Sequence, residues 1–264
     1  MRGRWVVAVA GTLACLTAMA FEKKVDVGGF KLNLRCAGAG SPTVVLDAGA
    51  GDTSATWDWV VPEVKKFARV CAYDRAGLGK SAAGPKPRSA ARISEELHNL
   101  LRRAGVLPPY VLAGHSAGGL NMRVYTAKYP EEVVGLVLVD ATQEDFPQME
   151  ASILTPAERE KTRTAIANAP EAVRDEIEAI PQSVQELKRA GSPPAVPTAI
   201  ITAFHETESD KFRKAWIELQ DRLASTYPAA KRVLADKSGH YVPFDQPELV
   251  VDTIREIVEK AQKK

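Results

Sequence analysis

The sequence predicts an α/β domain in which a mostly parallel sheet is covered by helices on both faces. Short β-rich runs alternate with helical patterns along most of the chain. The apolar run Tyr110-Val111-Leu112-Ala113 leads directly into Gly114-His115-Ser116-Ala117-Gly118-Gly119 and then into a stretch readable as helix, a G-x-S-x-G pattern in strand-to-helix context. Without residues 1–20 the chain still has 244 residues, enough for one large core and one domain carrying an insertion.

The first twenty residues read as a targeting segment. Arg2 and Arg4 precede an apolar run from Trp5 to Leu16, and Ala18-Met19-Ala20 closes it, so a signal peptide over 1–20 is expected to be cleaved before Phe21. The run is short for a membrane span and Glu22-Lys23-Lys24 follows at once, which makes an uncleaved anchor the lesser alternative. The mature protein is expected to be exported, to a periplasm or to the medium. Cleavage would leave 33 basic against 33 acidic side chains, so charge provides no case for a nucleic-acid or membrane partner.

β-rich runs occupy 30–36, 43–47, 70–74, 110–113, 133–139, 196–202 and 232–235, and the spacing predicts helices over 57–67, 93–104, 118–129 and 247–261. The last helix places Leu249, Val250, Ile254, Ile257, Val258 and Ala261 on one face. Residues 143–194 break the rhythm: they are rich in Ala, Glu, Arg and Pro, without a strand-like run, and read as a helical insertion. Thr155-Pro156-Ala157-Glu158 is a capping box with proline at the first helical position, and Pro170 and Pro181 divide the rest into short helices. The expected organisation is a core of 21–142 and 195–264 with the insertion 143–194 between its two parts.

A serine at a strand-to-helix turn is held in a sparsely populated backbone conformation beside the free N–H groups of the new helix, with glycines letting the chain pass closely on both sides. Serine is a weak nucleophile, so Ser116 requires a base, and that base requires a partner to hold its tautomer. Of the four histidines, His98 lies in a helix, His115 inside the elbow and His205 after a strand. His240, in the loop Lys237-Ser238-Gly239-His240-Tyr241 before the last helix, is the expected base, because ligand sites in parallel sheets lie at the carboxyl edge. The histidines are not at metal-ligand spacing, so no metal is expected. Gly79-Lys80-Ser81 imitates a phosphate loop but has Asp74 where the glycine should stand. Gly49 and Gly51 imitate a dinucleotide fingerprint but have Ser54 at the third position. No cofactor is therefore expected.

Four segments in order carry a resemblance: Val44-Val45-Leu46-Asp47-Ala48-Gly49-Ala50-Gly51, Tyr73-Asp74-Arg75-Ala76-Gly77-Leu78-Gly79-Lys80-Ser81, the Ser116 elbow, and Ser238-Gly239-His240. With them the chain resembles the α/β-hydrolases over nearly all of its mature length. The resemblance implies the α/β-hydrolase fold, with a helical cap inserted after the family's sixth strand, and a serine hydrolase cleaving a small-molecule carboxylic ester. It assigns Ser116 as nucleophile, His240 as base, and the backbone N–H groups of Ala117 and Ala50 as the oxyanion hole. Ala48 stands where the family commonly has histidine. The acid follows the sixth or the seventh strand in the family; Asp140 is favoured and Glu206 is the alternative. The 143–194 insertion would be a lid, with Phe146, Met149, Ile153 and Leu154 either meeting substrate or packing the lid onto the body. The same fold would make the strands bearing Cys36 and Cys71 neighbours, and in an oxidising compartment the two would pair, two buried free thiols being the alternative. A non-catalytic small-molecule binder, and an acyltransferase or thioesterase using the same triad, are the alternatives.

Overall fold

The computed structural model describes residues 20–205, 208–227 and 230–263. All but one residue of the expected signal peptide, and the alternative acid Glu206, lie outside the described residues. In chain order the elements are β1 (Phe21–Asp26), β2 (Lys31–Ala37), β3 (Thr43–Asp47), α1 (Val61–Val64), β4 (Val70–Tyr73), α2 (Ala90–Ala104), β5 (Tyr110–His115), α3 (Ala117–Lys128), β6 (Val133–Val139), α4 (Phe146–Ile153), α5 (Pro156–Ala167), α6 (Glu171–Glu178), α7 (Ile180–Ala190), β7 (Thr198–Ala203), α8 (Asp210–Ser225), β8 (Lys231–Ala235), α9 (Val242–Asp245) and α10 (Pro247–Gln262).

Eight strands form one sheet in the order β1-β2-β4-β3-β5-β6-β7-β8. β1 and β2 run antiparallel to their neighbours, and β3 to β8 are mutually parallel. The central strands are buried on both faces, and for that reason they read as continuous apolar runs rather than alternating ones. Side chains still alternate in direction. In β5, Tyr110 and Leu112 join the core that contains Leu97, Leu101, Met122 and Tyr125 of α2 and α3, while Val111 and Ala113 join the opposite core with Val64 of α1 and Ile254 and Ile257 of α10.

Two elements escape the periodicity. β1, with sequence FEKKVD, is an edge strand exposed over most of its length. Its order comes from its register against β2, and its charges suit an edge that must not recruit another strand. α8 follows β7 where the sequence reads as irregular. Ser209 accepts a hydrogen bond from the Phe212 N–H at its start, and Trp216, Leu219 and Leu223 are buried along one side. Between β6 and β7 lie four helices, α4 to α7, and the capping box at Thr155 is formed on both sides. Among the described residues, no helix is long and apolar enough to cross a membrane.

Cys36 and Cys71 face each other across the antiparallel β2–β4 pair and are joined by a disulfide, with Cα atoms 4.1 Å apart. The bond closes a loop spanning 35 positions that contains all of β3 and α1. Closing a loop of this size removes conformational freedom chiefly from the unfolded chain, a contribution of about 2–4 kcal/mol. The double substitution Cys36→Ala/Cys71→Ala is therefore expected to lower the unfolding free energy by about that amount in denaturant titrations, with an unchanged far-ultraviolet circular dichroism spectrum.

Candidate active site

β5 ends at His115 and α3 begins at Ala117, leaving Ser116 alone in the turn with φ 53° and ψ −124°. That conformation is held from both sides. The Ser116 N–H donates to the Val139 carbonyl at the end of β6, and the Ser116 carbonyl accepts from Gly119 N and Thr142 N. Gly118 is required by close packing, since a Cβ there would lie 2.4 Å from the Asp47 carbonyl oxygen at the end of β3. Positive φ also occurs at Asp140 and His205, and among the described non-glycine residues only these two and Ser116 adopt it. All three stand at the carboxyl edge of the sheet, where strain is characteristically stored at functional sites.

Asp140 follows β6 and is completely buried. Its Oδ1 accepts from Ala203 N at 2.9 Å and Trp216 Nε1 at 2.7 Å. Its Oδ2 accepts from His205 Nε2 at 2.9 Å and His240 Nδ1 at 2.7 Å. Burial pushes the carboxyl up, but the hydrogen bonds from His205 and His240 outweigh it and hold the group well below the usual carboxylate range. Asp140 is thus an anion that fixes the His240 tautomer: with the proton on Nδ1, Nε2 is left as the accepting nitrogen.

The loop carrying His240 is held at several points. The Ser238 carbonyl accepts from His205 N at 3.0 Å, and the Asp245 carboxylate accepts from the Ser238 hydroxyl and Gly239 N. His115 Nε2 donates to the His240 carbonyl at 2.8 Å, and the two rings lie 4.7 Å apart. Since that carbonyl can only accept, the His115 proton is on Nε2, and the buried Nδ1 has no hydrogen-bond partner among the described residues.

Ser116 and His240 line one cavity of about 330 Å³, together with Ala50, Ala117, Thr142, Phe146, Ile180, His205, Glu208, Phe212 and Trp216. Both alanines singled out for backbone donation are therefore in its wall. Of the four apolar residues of the insertion named from the sequence, Phe146 lines this cavity. Met149 and Ile153 pack with Trp216 and Leu219 of α8, and Leu154 borders a separate groove against α5 and α6. The gathering of Asp140, His205 and His240 brings one potential ligand atom from each within 4.8 Å of the others, a grouping that spacing along the chain did not foretell. Their nitrogens donate to the carboxylate here, so a metal ion could bind only after displacing both protons.

Sequence reasoning missed His205 and Trp216 as partners of Asp140. For Trp216 a signal was present, because Phe212, Trp216, Leu219 and Leu223 fall at helical spacing behind Ser209. It also missed an ion cluster beside the cavity. Arg75 is buried and donates to Asp47 Oδ1 at 2.6 Å and to both oxygens of Glu176, from α6, at 2.7 and 2.8 Å. Nothing in the sequence links Arg75 to a glutamate 101 positions away.

The α/β hydrolase family model matches residues 44–253. The Bacillus subtilis (strain 168) protein YqjL is 28% identical over 217 residues, covering 81% of this chain and 82% of its own. Among solved structures, a thermophilic esterase from Thermogutta terrifontis superposes with a TM-score of 0.65 at 24% identity, covering 92% of this chain and 99% of its own. The 2-hydroxy-6-oxo-6-phenylhexa-2,4-dienoate hydrolase from Rhodococcus sp. strain RHA1 superposes with a TM-score of 0.68 at 18% identity, covering 92% of this chain and 100% of its own. At these identities the structural likeness speaks to the fold, and the family match covers every segment that builds the cavity. The chain belongs to the α/β hydrolase family.

Proposed function

We propose that this protein is an exported serine hydrolase that cleaves a compact carboxylic ester through an acyl-enzyme. The observation that carries this reading is the buried, ionised Asp140 bonded at 2.7 Å to Nδ1 of a histidine that shares a cavity with Ser116. Such a pair turns imidazole into a base of fixed tautomer, and the elbow supplies an alcohol for it to activate. His240 Nε2 takes the Ser116 proton as Oγ attacks the carbonyl carbon. Negative charge then develops on the carbonyl oxygen, where the N–H groups of Ala50 and Ala117 receive it. Donors fixed in advance need no reorganisation at that moment. The imidazolium, steadied by Asp140, returns the proton to the departing alkoxide, and water activated by the same histidine releases the acid. In this reading the Cys36–Cys71 bond is the counterpart of an oxidising destination for a chain bearing a signal peptide.

On this mechanism Ser116→Ala and Asp140→Asn are both expected to lower kcat on a short p-nitrophenyl ester by about 1,000-fold or more, the second through the wrong histidine tautomer. Full activity in Ser116→Ala would refute the nucleophile. A fluorophosphonate probe should label the wild type and not Ser116→Ala, whereas a non-catalytic binder would stay unlabelled.

The cavity walls bear on the substrate. At about 330 Å³ the space lies at the low end of small-molecule sites, and Phe146, Ile180, Phe212 and Trp216 make it largely apolar. The p-nitrophenyl esters of two- to six-carbon acids should be turned over with kcat/KM at least tenfold above the twelve-carbon ester. Phe146→Ala should shift that preference toward longer chains.

His115 sets an acid limit on stability. Burial, with the neighbouring His240 charge adding to it, lowers its pKa to about 4, against about 6.5 when unfolded. Between those values the unfolded chain binds more protons than the folded one, so stability falls as pH drops through this window, by about 3 kcal/mol in total. Unfolding free energies measured from pH 7 to pH 4 should show this decline, and His115→Gln, which cannot titrate, should flatten it.

A further inference from the structure

The ion cluster at Arg75 surrounds the loop whose Ala50 N–H is assigned above as the second oxyanion donor, and one of its two carboxylates comes from the insertion. Arg75 Nη1 donates to the Ala48 carbonyl at 2.8 Å and Nη2 donates to the Gly49 carbonyl, while the Gly51 N–H donates to Glu176 Oε2 at 2.9 Å. The residues on either side of Ala50 are thereby bound to one guanidinium–carboxylate pair. The remaining oxygen of Asp47, which ends β3 just before the loop, accepts from Asn121 Nδ2 at 3.0 Å. Packing repeats the constraint: Gly51 has φ +77°, and a Cβ there would lie 2.7 Å from Val173 Cγ1, one turn before Glu176 on α6. Arg75, Asp47 and Glu176 are each at most 5% exposed, and none of them lines the cavity.

We propose that Glu176 is a positioning residue for the oxyanion hole: from α6 of the insertion it holds residues 48–51, through Arg75 and Gly51, in the shape that presents the Ala50 N–H to the reacting carbonyl. Hydrolysis then requires α6 to be docked on the core. The insertion is accordingly of two kinds, with α6 part of the catalytic framework and α4, which carries Phe146, part of the substrate wall. The inference rests on the serine hydrolase reading above.

Glu176→Gln tests it. The amide replaces one accepting oxygen with a donor, so either the Gly51 N–H or an Arg75 N–H faces another N–H and the loop relaxes. Displacement of a reacting or stabilising group by about 1 Å can lower rates by about 100-fold. The expected result on a short p-nitrophenyl ester is a 10- to 100-fold loss in kcat, with KM within twofold of wild type. A boronic acid, whose adduct with Ser116 is tetrahedral and places an oxygen in the hole, should lose affinity by a similar factor. Glu176→Asp, which keeps the charge at shorter reach, should recover part of both losses. A folded Glu176→Gln protein with kcat and boronate affinity within twofold of wild type would overturn the proposal, as would a loss confined to KM. Should that variant melt below the assay temperature, Val173→Ala takes its place. It keeps every charge and loosens only the packing on Gly51, with an expected two- to fivefold loss in kcat and boronate affinity; no loss in either would overturn the proposal. An inactive Ser116→Ala beside an unimpaired Glu176→Gln sinks the positioning role alone, whereas a fully active Ser116→Ala sinks the reading beneath it.

Discussion

Four N–H groups converge on the carboxylate of Asp140, and the carboxyl edge of the sheet is organised around satisfying it. An ionised carboxylate away from water is tolerated only when paired and fully hydrogen-bonded. The donors come from the end of β7, from the residue two positions beyond it, from the middle of α8, and from the loop after β8. Each of those segments is therefore placed with respect to one anion. The positive φ at Asp140 and His205 is local strain that this set of bonds sustains. His240 derives its tautomer from the same source, and the loop that carries it is held again through its carbonyl by His115, the residue before the elbow serine.

On the other side of Ser116 stands a second buried charge cluster of opposite design. At Asp140 one anion gathers four N–H donors; at Arg75 one cation gathers two carboxylates and two backbone carbonyls. Removing one partner from such a cluster leaves an uncompensated charge, and costs about 3–5 kcal/mol. The serine thus lies between two electrostatic fixtures, one orienting the histidine loop and one shaping the loop at Ala50. Both join segments distant in the chain, which makes the cavity a product of the whole fold.

The sheet was legible because its parallel strands are buried on both faces and so appear as apolar runs of β-branched residues, as in Val133–Val139. That Ser116 and His240 would meet at one cavity was legible for a different reason: a glycine-flanked elbow after one strand and a Gly-His loop after the last both stand at the carboxyl edge of a parallel sheet. β1 was hidden by its charges, since an edge strand is stabilised by pairing rather than burial. α8 was hidden by the polar residues around its four-residue apolar stripe. The insertion's helices were announced by Thr155 and by prolines, but which of their side chains would face the cavity was not, and Met149 and Ile153 turn toward α8 instead.

By itself the sequence determined the α/β alternation, the elbow and the histidine beyond the last strand, because hydrophobic periodicity, glycine placement and turn chemistry act over a few residues and leave local marks. The tertiary structure alone decided which carboxylate meets His240, that His205 and Trp216 share it, and that Glu176 reaches Arg75. Those are matches between groups 63 to 101 positions apart, made by the crossover connections of a parallel sheet. Burial then makes each match obligatory, since a charge withdrawn from water must be met by whichever donors the fold brings to it.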